Sequence, residues 1–380
     1  MVSNEEKERI WQAYRDGRPT RVPVTYGVNP RVVLFDPQWN PKGITFQEYY
    51  SDAAAAVEVQ LQFMEYQRQY LNNYCDHPLG RPAEWEFYVD NQNTYDSAYF
   101  GAELVFRDGQ VVDVAPPLAA VAKDRIFEMD IDHPLENPFI KSCLRRYEEL
   151  KAAAGRRRHH GMRFGVRPPL MGFDGHLTIA VNLRGGELLA DLYEDPDYVR
   201  RLMDFLHRGV SIRNRALARL FGRKAFDGPR GSLADDSVQL ISTEMYRQVV
   251  LPLHRAWYAQ WSAEGPHSIH LCGDASRHFP TIHEELNVCS FDTGFPIDHG
   301  AVRRALGEDV EISGGPEAAL LLGGTAEEVF ERTRQILTSG VMAGGRFVLR
   351  EGNNLPPGCP EENLSAMYRC CLEHGNYENQ

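Results

Sequence analysis

The sequence is short of long hydrophobic runs. No stretch among its 380 residues approaches the roughly 18 consecutive apolar positions of a membrane span, which excludes a transmembrane helix. The opening Met1-Val2-Ser3-Asn4-Glu5-Glu6-Lys7 has no apolar core of the kind a secretory leader carries. Cysteine is sparse and irregular: seven residues, an odd count with no repeating interval, which argues against a disulfide framework. A reducing, cytoplasmic setting is therefore expected, with any special cysteine acting as ligand or nucleophile. Positive charge is also in deficit, 41 Lys and Arg against 53 Asp and Glu for a net charge of −12, and this argues against nucleic-acid binding. The local run Arg156-Arg157-Arg158-His159-His160 reads as a solvated loop. Internal repeats, low-complexity tracts and Gly/Ser linkers are missing. So is a G-x-G-x-x-G between a strand and a helix, which weakens a dinucleotide fold.

What remains is a globular chain, 43% hydrophobic with five tryptophans. Its length suits one (β/α)₈ barrel of about 250 residues enlarged by insertions. Such a chain buries enough surface to need no disulfide or metal for stability. The expectation is an α/β fold in a single domain over 1–380, a TIM barrel or a doubly wound sheet, with an N-terminal helical and β-hairpin elaboration. A first helix is predicted over Asn4–Arg15 and a short strand over Val22–Tyr26. A long helix is predicted from Ser51 to Tyr70. Residues 84–114 read as an antiparallel insertion, because strand-like segments flank an Arg-Asp-Gly turn. From residue 160 strands alternate with helices. The strands are placed at Met162–Val166, Ser237–Leu240, Ser268–Leu271, Val288–Phe291, Val310–Ser313 and Arg346–Arg350. The helices are placed at 187–219, 244–263, 277–285, 300–306 and 326–340, with Ser242 as a cap and Thr325-x-x-Glu328 as a capping box.

The segment richest in chemistry is Ser268-Ile-His270-Leu-Cys272-Gly273-Asp274. Strand alternation puts His270 and Cys272 on one face where the strand ends, and strand C-termini carry the active site of a parallel barrel. An imidazole beside a thiolate suits zinc. Zinc needs at least one further protein ligand, and Cys359 and Glu351 are the leading candidates, with Asp292 behind them. Asp292 alternatively serves as a buried acceptor at the barrel rim. Asp235 and Asp236 adjoin a strand, and two neighbouring carboxylates cannot face the same way on extended chain. One is expected in the mouth and one on backbone. Tyr26, Asn29, Asn353 and Asn354 either line a substrate pocket or stabilise loops. Gly314-Gly315-Pro316-Glu317 reads as a tight rim turn, and Cys370-Cys371 as helix packing.

Two stretches give a resemblance. Leu233-Ala-Asp-Asp236 through Ser242-Thr-Glu-Met-Tyr-Arg-Gln-Val-Val-Leu-Pro252, and Asp174-Gly-His-Leu-Thr-Ile-Ala-Val-Asn-Leu-Arg184 with Leu189–Pro196 after it, resemble the uroporphyrinogen decarboxylase superfamily over roughly residues 160–370. The resemblance implies a (β/α)₈ barrel. The decarboxylase branch carries an arginine-rich segment near its N-terminus, and residues 1–60 offer only Asp16-Gly-Arg-Pro19. The other branch contains corrinoid-dependent methyltransferases, among them methylcobalamin:coenzyme M methyltransferases and O-demethylase components. Its His-x-Cys zinc ligands match His270 and Cys272. Its third ligand is a Cys in a Gly-Cys-Gly segment, where this chain has Gly352-Asn353-Asn354. Cys359, in Pro357-Gly-Cys-Pro-Glu-Glu-Asn363, substitutes only if its loop folds back.

The resemblance implies a zinc-dependent methyltransferase moving a methyl group between a small methylated substrate, such as an aryl methyl ether, and a corrinoid (cobalamin) on a partner protein. The chain has no Asp-x-His-x-x-Gly corrinoid motif of its own, so the partner would supply the cofactor. Zinc would act as Lewis acid or thiolate holder, with Asp235, Asp236 or Asp292 giving a proton to a leaving oxygen. The rival readings are a metal-independent polycarboxylate decarboxylase and a non-catalytic corrinoid- or tetrapyrrole-binding protein. Homo-oligomerisation stays open.

Overall fold

A computed structural model describes residues 2–79, 83–119, 122–262 and 265–377. By their contacts they form two compact units, Thr45–Val57 with Glu84–His267, and Met1–Ile44 with Glu58–Ala83 and Ser268–Gln380. Both are α/β. No helix among the described residues is long and apolar enough to cross a membrane.

In the first unit, β1 (Glu84–Phe87), β2 (Glu103–Val105), β3 (Asp113–Ala115), β4 (Arg158–His159), β5 (Met162–Val166) and β6 (Ser232–Ala234) follow in chain order. β1 pairs in parallel with β5, setting Trp85 opposite Phe164 and Phe87 opposite Val166. Trp85 and Phe87 are buried while Glu86 between them is exposed, the period-two pattern of a strand on a core. This corrects the expectation of an antiparallel element over 84–114. Within this stretch it is β2 and β3 that pair antiparallel, in the register Glu103↔Ala115. The Arg-Asp-Gly turn organises its immediate flanks. The long connection from β1 to β5, containing the helix Pro138–Ala154, is the crossover that parallel pairing requires.

Two further expectations are revised here. Ser237–Leu240 is not a strand but part of a 3₁₀ helix, Asp236–Leu240, because the extended chain ends at Asp235 (φ −161°, ψ 71°), whose carbonyl takes the N–H of Val238. The helix expected over 187–219 is two, Glu187–Glu194 and Pro196–Leu220. Pro196 has no N–H to continue the first helix but fits the first turn of the second, where Asp195 caps Tyr198 N. The helix from Ser242 holds its cap on Met245 N and runs through a π turn (Tyr246–Val250) ahead of Pro252.

In the second unit, β7 (His267–Leu271), β8 (Val288–Thr293), β9 (Glu311–Gly314) and β10 (Phe347–Leu349) lie side by side in that order. β8 pairs with β9 and β9 with β10 in parallel. The segment Val22–Tyr26 joins β10 through a parallel bridge, Val24↔Leu349, but extends no ladder, since Pro23 lacks an N–H. Val22, Val24, Ile312, Phe347 and Leu349 form the core beside the buried Cys370 and Cys371 of the helix Glu361–His374. The capping box at Thr325 and Glu328 starts the helix Ala326–Ile336. Asp76 ties the unit together: it takes both Nη atoms of Arg21 at 2.7 and 2.6 Å, the N–H of Val24, and the hydroxyl of Tyr368.

Candidate functional site

The site is built at the C-terminal ends of β7, β8 and β10. On β7, Ile269 and Leu271 point into the core, so alternation leaves His270 and Cys272 on the half-buried face. Gly273 turns the chain at φ +71°. Gly294 follows β8 so closely that a Cβ there would lie 2.7 Å from both Cys272 Cα and Gly273 N, and only glycine fits.

His270 Nε2 lies 3.0 Å from Cys272 Sγ, and its Nδ1 lies 2.7 Å from Asp292 Oδ2. Arg350, just past β10, donates from Nη1 to both Asp292 oxygens at 2.9 Å. Its Nη2 donates to Glu351 Oε1 at 2.6 Å and to the Asn353 carbonyl. Glu351 is fully buried and accepts the Gly27 N–H on both oxygens, at 2.9 and 3.1 Å. Burial opposes charge on His270, but the bonds to Asp292 and Cys272 outweigh it and push the imidazolium up to about 11. Burial raises the Glu351 carboxyl to about 7, with Arg350 pulling the other way.

This arrangement is the one a metal-binding imidazole needs. A carboxylate on Nδ1 fixes the ring's orientation and tautomer, and the other nitrogen is turned toward a sulfur. Tetrahedral zinc holds N and S ligands about 3.5 Å apart, so a 3.0 Å hydrogen-bonded pair opens by only about half an ångström to chelate it. The donor set therefore fits two zinc positions, with Asp292 supporting one ligand rather than binding.

The family model described as Uroporphyrinogen decarboxylase (URO-D) matches residues 97–374. The chain belongs to this family. A relative, the methylated-thiol–coenzyme M methyltransferase of Methanosarcina mazei, is 37% identical over 145 residues, a match covering 37% of this chain and 37% of that protein. The aligned part is thus little more than a third of the curated relative's length. A solved structure described as a methyltransferase from Methanosarcina mazei superposes with a TM-score of 0.61 at 14% identity, covering 98% of this chain and 99% of its own. That likeness establishes a shared fold.

In this URO-D family member Cys359, Glu351, Tyr26 and Asn29 are each engaged elsewhere. Cys359 gives its thiol to the Leu321 carbonyl at 3.2 Å, and burial pushes it up to about 12, unsuited to the thiolate a metal requires. Among the described residues, neither Cys359 nor Glu351 joins His270 and Cys272 in a group of ligand atoms within 4.8 Å. Glu351 is instead a clamp between Gly27 and Arg350. Tyr26 is buried, with its hydroxyl on Met367 Sδ, so it lies in the core. Asn29 accepts from Arg31 N and Nε, holding a loop. Asn353 adopts φ +130° and accepts from Asn354 Nδ2. The Gly315 Cβ position would lie 1.9 Å from the Arg350 carbonyl, which makes Gly314-Gly315 a close rim turn.

In the first unit, Asp235 is fully buried and takes Leu177 N, Thr178 N, Thr178 Oγ1 and His254 Nε2, at 2.8 to 3.1 Å. Asp236 opens the 3₁₀ helix and is half-buried. Sequence reasoning missed two participants. Arg350 was read as a strand end, although a cation at a strand terminus beside two acids signals an ion pair. His254 joins Tyr246 to Asp235 through its two ring nitrogens, 3.0 Å from each, a relation no local spacing announces.

Proposed function

We propose that this chain is a zinc-dependent methyltransferase on a single (β/α)₈ barrel, acting in the cytoplasm. It moves a methyl group between a small methylated ether or thiol and a corrinoid carried by a partner protein. One observation carries the reading: His270 Nε2 faces Cys272 Sγ at 3.0 Å while Asp292 holds Nδ1. The methylated thiol and coenzyme M in the name of the M. mazei relative support a sulfur substrate beside the ether.

His270 and Cys272 are the ligands assigned to the metal. Bound there, zinc supplies Lewis-acid polarisation of an ether oxygen or keeps a substrate sulfur as thiolate at neutral pH. Asp292 is a positioning residue: it orients the imidazole, and Arg350 fixes Asp292 in turn through two 2.9 Å bonds. Glu351 and Gly27 hold Arg350 from behind, so the ring's direction is set by elements from both ends of the chain.

The test is metal content by elemental analysis, then cobalt absorbance during incubation of the protein with reduced cobalamin and a panel of aryl methyl ethers and methylated thiols. Stoichiometric zinc, and loss of both metal and methyl transfer in His270→Gln and Cys272→Ser, are expected. Full turnover by metal-free protein, or carbon dioxide release from a polycarboxylate, overturns the reading.

A further inference from the structure

The first unit contains a cavity of about 410 Å³, a volume typical of small-molecule sites. Its walls include Phe173, Phe226, Trp257 and Trp261. Phe173 and Trp257 lie 4.4 Å apart, and Phe226 meets Trp257 edge-on at 5.1 Å and Trp261 at 6.0 Å. Such walls offer both faces and edges to a flat ring.

Three polar side chains of the lining can donate or carry positive charge. Trp261 Nε1 and Asp174 Oδ2 are both buried without a hydrogen-bond partner. The indole N–H can only donate. The other Asp174 oxygen accepts the Tyr95 hydroxyl at 2.7 Å. Burial, and then the neighbouring Asp96, hold the Asp174 carboxyl well above the usual carboxylate range, against the opposing pull of Tyr95 and Arg213. A protonated Asp174 presents an O–H, a second donor. Lys224 adds an exposed ammonium with no ion pair among the described residues.

The wall behind these groups is rigid. Arg213, fully buried, pairs with the fully buried Asp96 at 2.6 Å and donates to the Gly172 carbonyl at 3.1 Å, while Asp96 accepts the Asp174 N–H. A pre-formed cavity with aromatic walls, two unsatisfied donors and one cation asks for a flat apolar ligand that brings only acceptors and a negative charge.

We propose that this cavity binds an aromatic carboxylate, its ring among Phe173, Phe226, Trp257 and Trp261 and its carboxylate on Trp261 Nε1, Asp174 and Lys224. The proposal rests on neither zinc nor methyl transfer. It is tested on the full chain by isothermal titration and tryptophan quenching with benzoate, benzamide and benzylamine. Benzoate should bind, benzamide should bind more weakly, and benzylamine weakest. Trp261→Phe keeps a ring but removes the N–H, and should weaken benzoate about tenfold. Lys224→Met should cost benzoate about threefold and benzamide nothing, since an exposed charge is screened. Asp174→Asn retains a donor and should leave benzoate affinity within about threefold, whereas Asp174→Leu should lose it. Benzylamine binding as tightly as benzoate would overturn the proposal by making Asp174 a counter-ion. So would the absence of any benzoate signal up to about 10 mM, or a folded Trp261→Phe variant with unchanged affinity.

Discussion

Replacing Asp235 separates two roles for a buried carboxylate. Leu177 and Thr178 occupy the first turn of the helix His176–Arg184, whose own N-cap, Gly175, offers no side chain. Asp235 takes both of their N–H groups from outside the helix and adds the Thr178 hydroxyl and His254. Asp235→Ala therefore removes a cap worth about 1 kcal/mol. It also strands the half-buried Thr178 hydroxyl and the buried His254 N–H at about 1–3 kcal/mol each. The expected loss is about 4 kcal/mol, since neighbouring losses do not sum fully. Asp235→Asn keeps a carbonyl oxygen for the helix but turns an N–H₂ toward a donor and gives up the charge at the helix N-terminus, about 1–2 kcal/mol.

At about 2 °C per kcal/mol for a chain of this size, the melting temperature should fall by about 2–4 °C for Asn and about 8 °C for Ala. Far-UV circular dichroism melts measure both. Turnover of the Asn variant, taken below its melting range, should stay within about tenfold of the parent. A general acid, in contrast, is worth roughly 10²–10⁴-fold. An Asn variant that melts like the parent but loses turnover by a thousandfold refutes the capping argument and makes Asp235 catalytic.

Asp292→Asn should weaken zinc binding about 10–100-fold, the usual cost of losing the carboxylate behind a histidine ligand, as read by competition with a chromogenic chelator. Unchanged affinity would mean that His270 does not depend on Asp292. Gly294→Ala should destabilise by about 1–3 kcal/mol and reduce bound zinc, because the added methyl meets Cys272 and Gly273 backbone rather than a yielding side chain. His299 gives a pH signature. It is buried with both ring nitrogens unpartnered, and burial lowers it from 6.5 to about 4. The unfolded chain then binds the extra proton between those values, so stability falls as pH drops from 6.5 to 4, by about 3 kcal/mol in total. Equilibrium unfolding against pH should show this acid limb flattened in His299→Leu, and an identical slope in both proteins would contradict it.

The fold was legible where one local rule decided the outcome. Met162–Val166, the helix Asn4–Arg15 and the Thr325–Glu328 capping box follow from period and cap chemistry alone. The errors came where distant chain intervened. Val238-Gln-Leu240 has strand-like residues, but the extended chain stops when the carboxylate of Asp235 commits to a helix 57 and 58 positions earlier. Glu84–Phe87 falls inside the antiparallel insertion expected over 84–114, because the Arg-Asp-Gly hairpin signal nearby is a strong short-range one. Its true partner, β5, stands almost eighty residues away, and parallel pairing leaves no turn residues to read.

The same division runs through the site. His270 and Cys272 were readable because alternation within one strand fixes their common face. Their supports were not, because each comes from a different strand end: Asp292 from β8, Arg350 and Glu351 after β10, Gly27 from the N-terminal segment. Glu351 shows how composition misleads there. A carboxylate after a strand at the expected rim looks like a ligand, yet it is fully buried and occupied by a guanidinium and a backbone N–H. A buried acid beside an arginine lowers the cost of burying both, so it is held in place by what it satisfies, and a metal would have to displace those bonds to recruit it. At this rim the fold instead turns an imidazole, its far nitrogen pinned by Asp292, toward the Cys272 sulfur, which is the pairing the proposed zinc site needs.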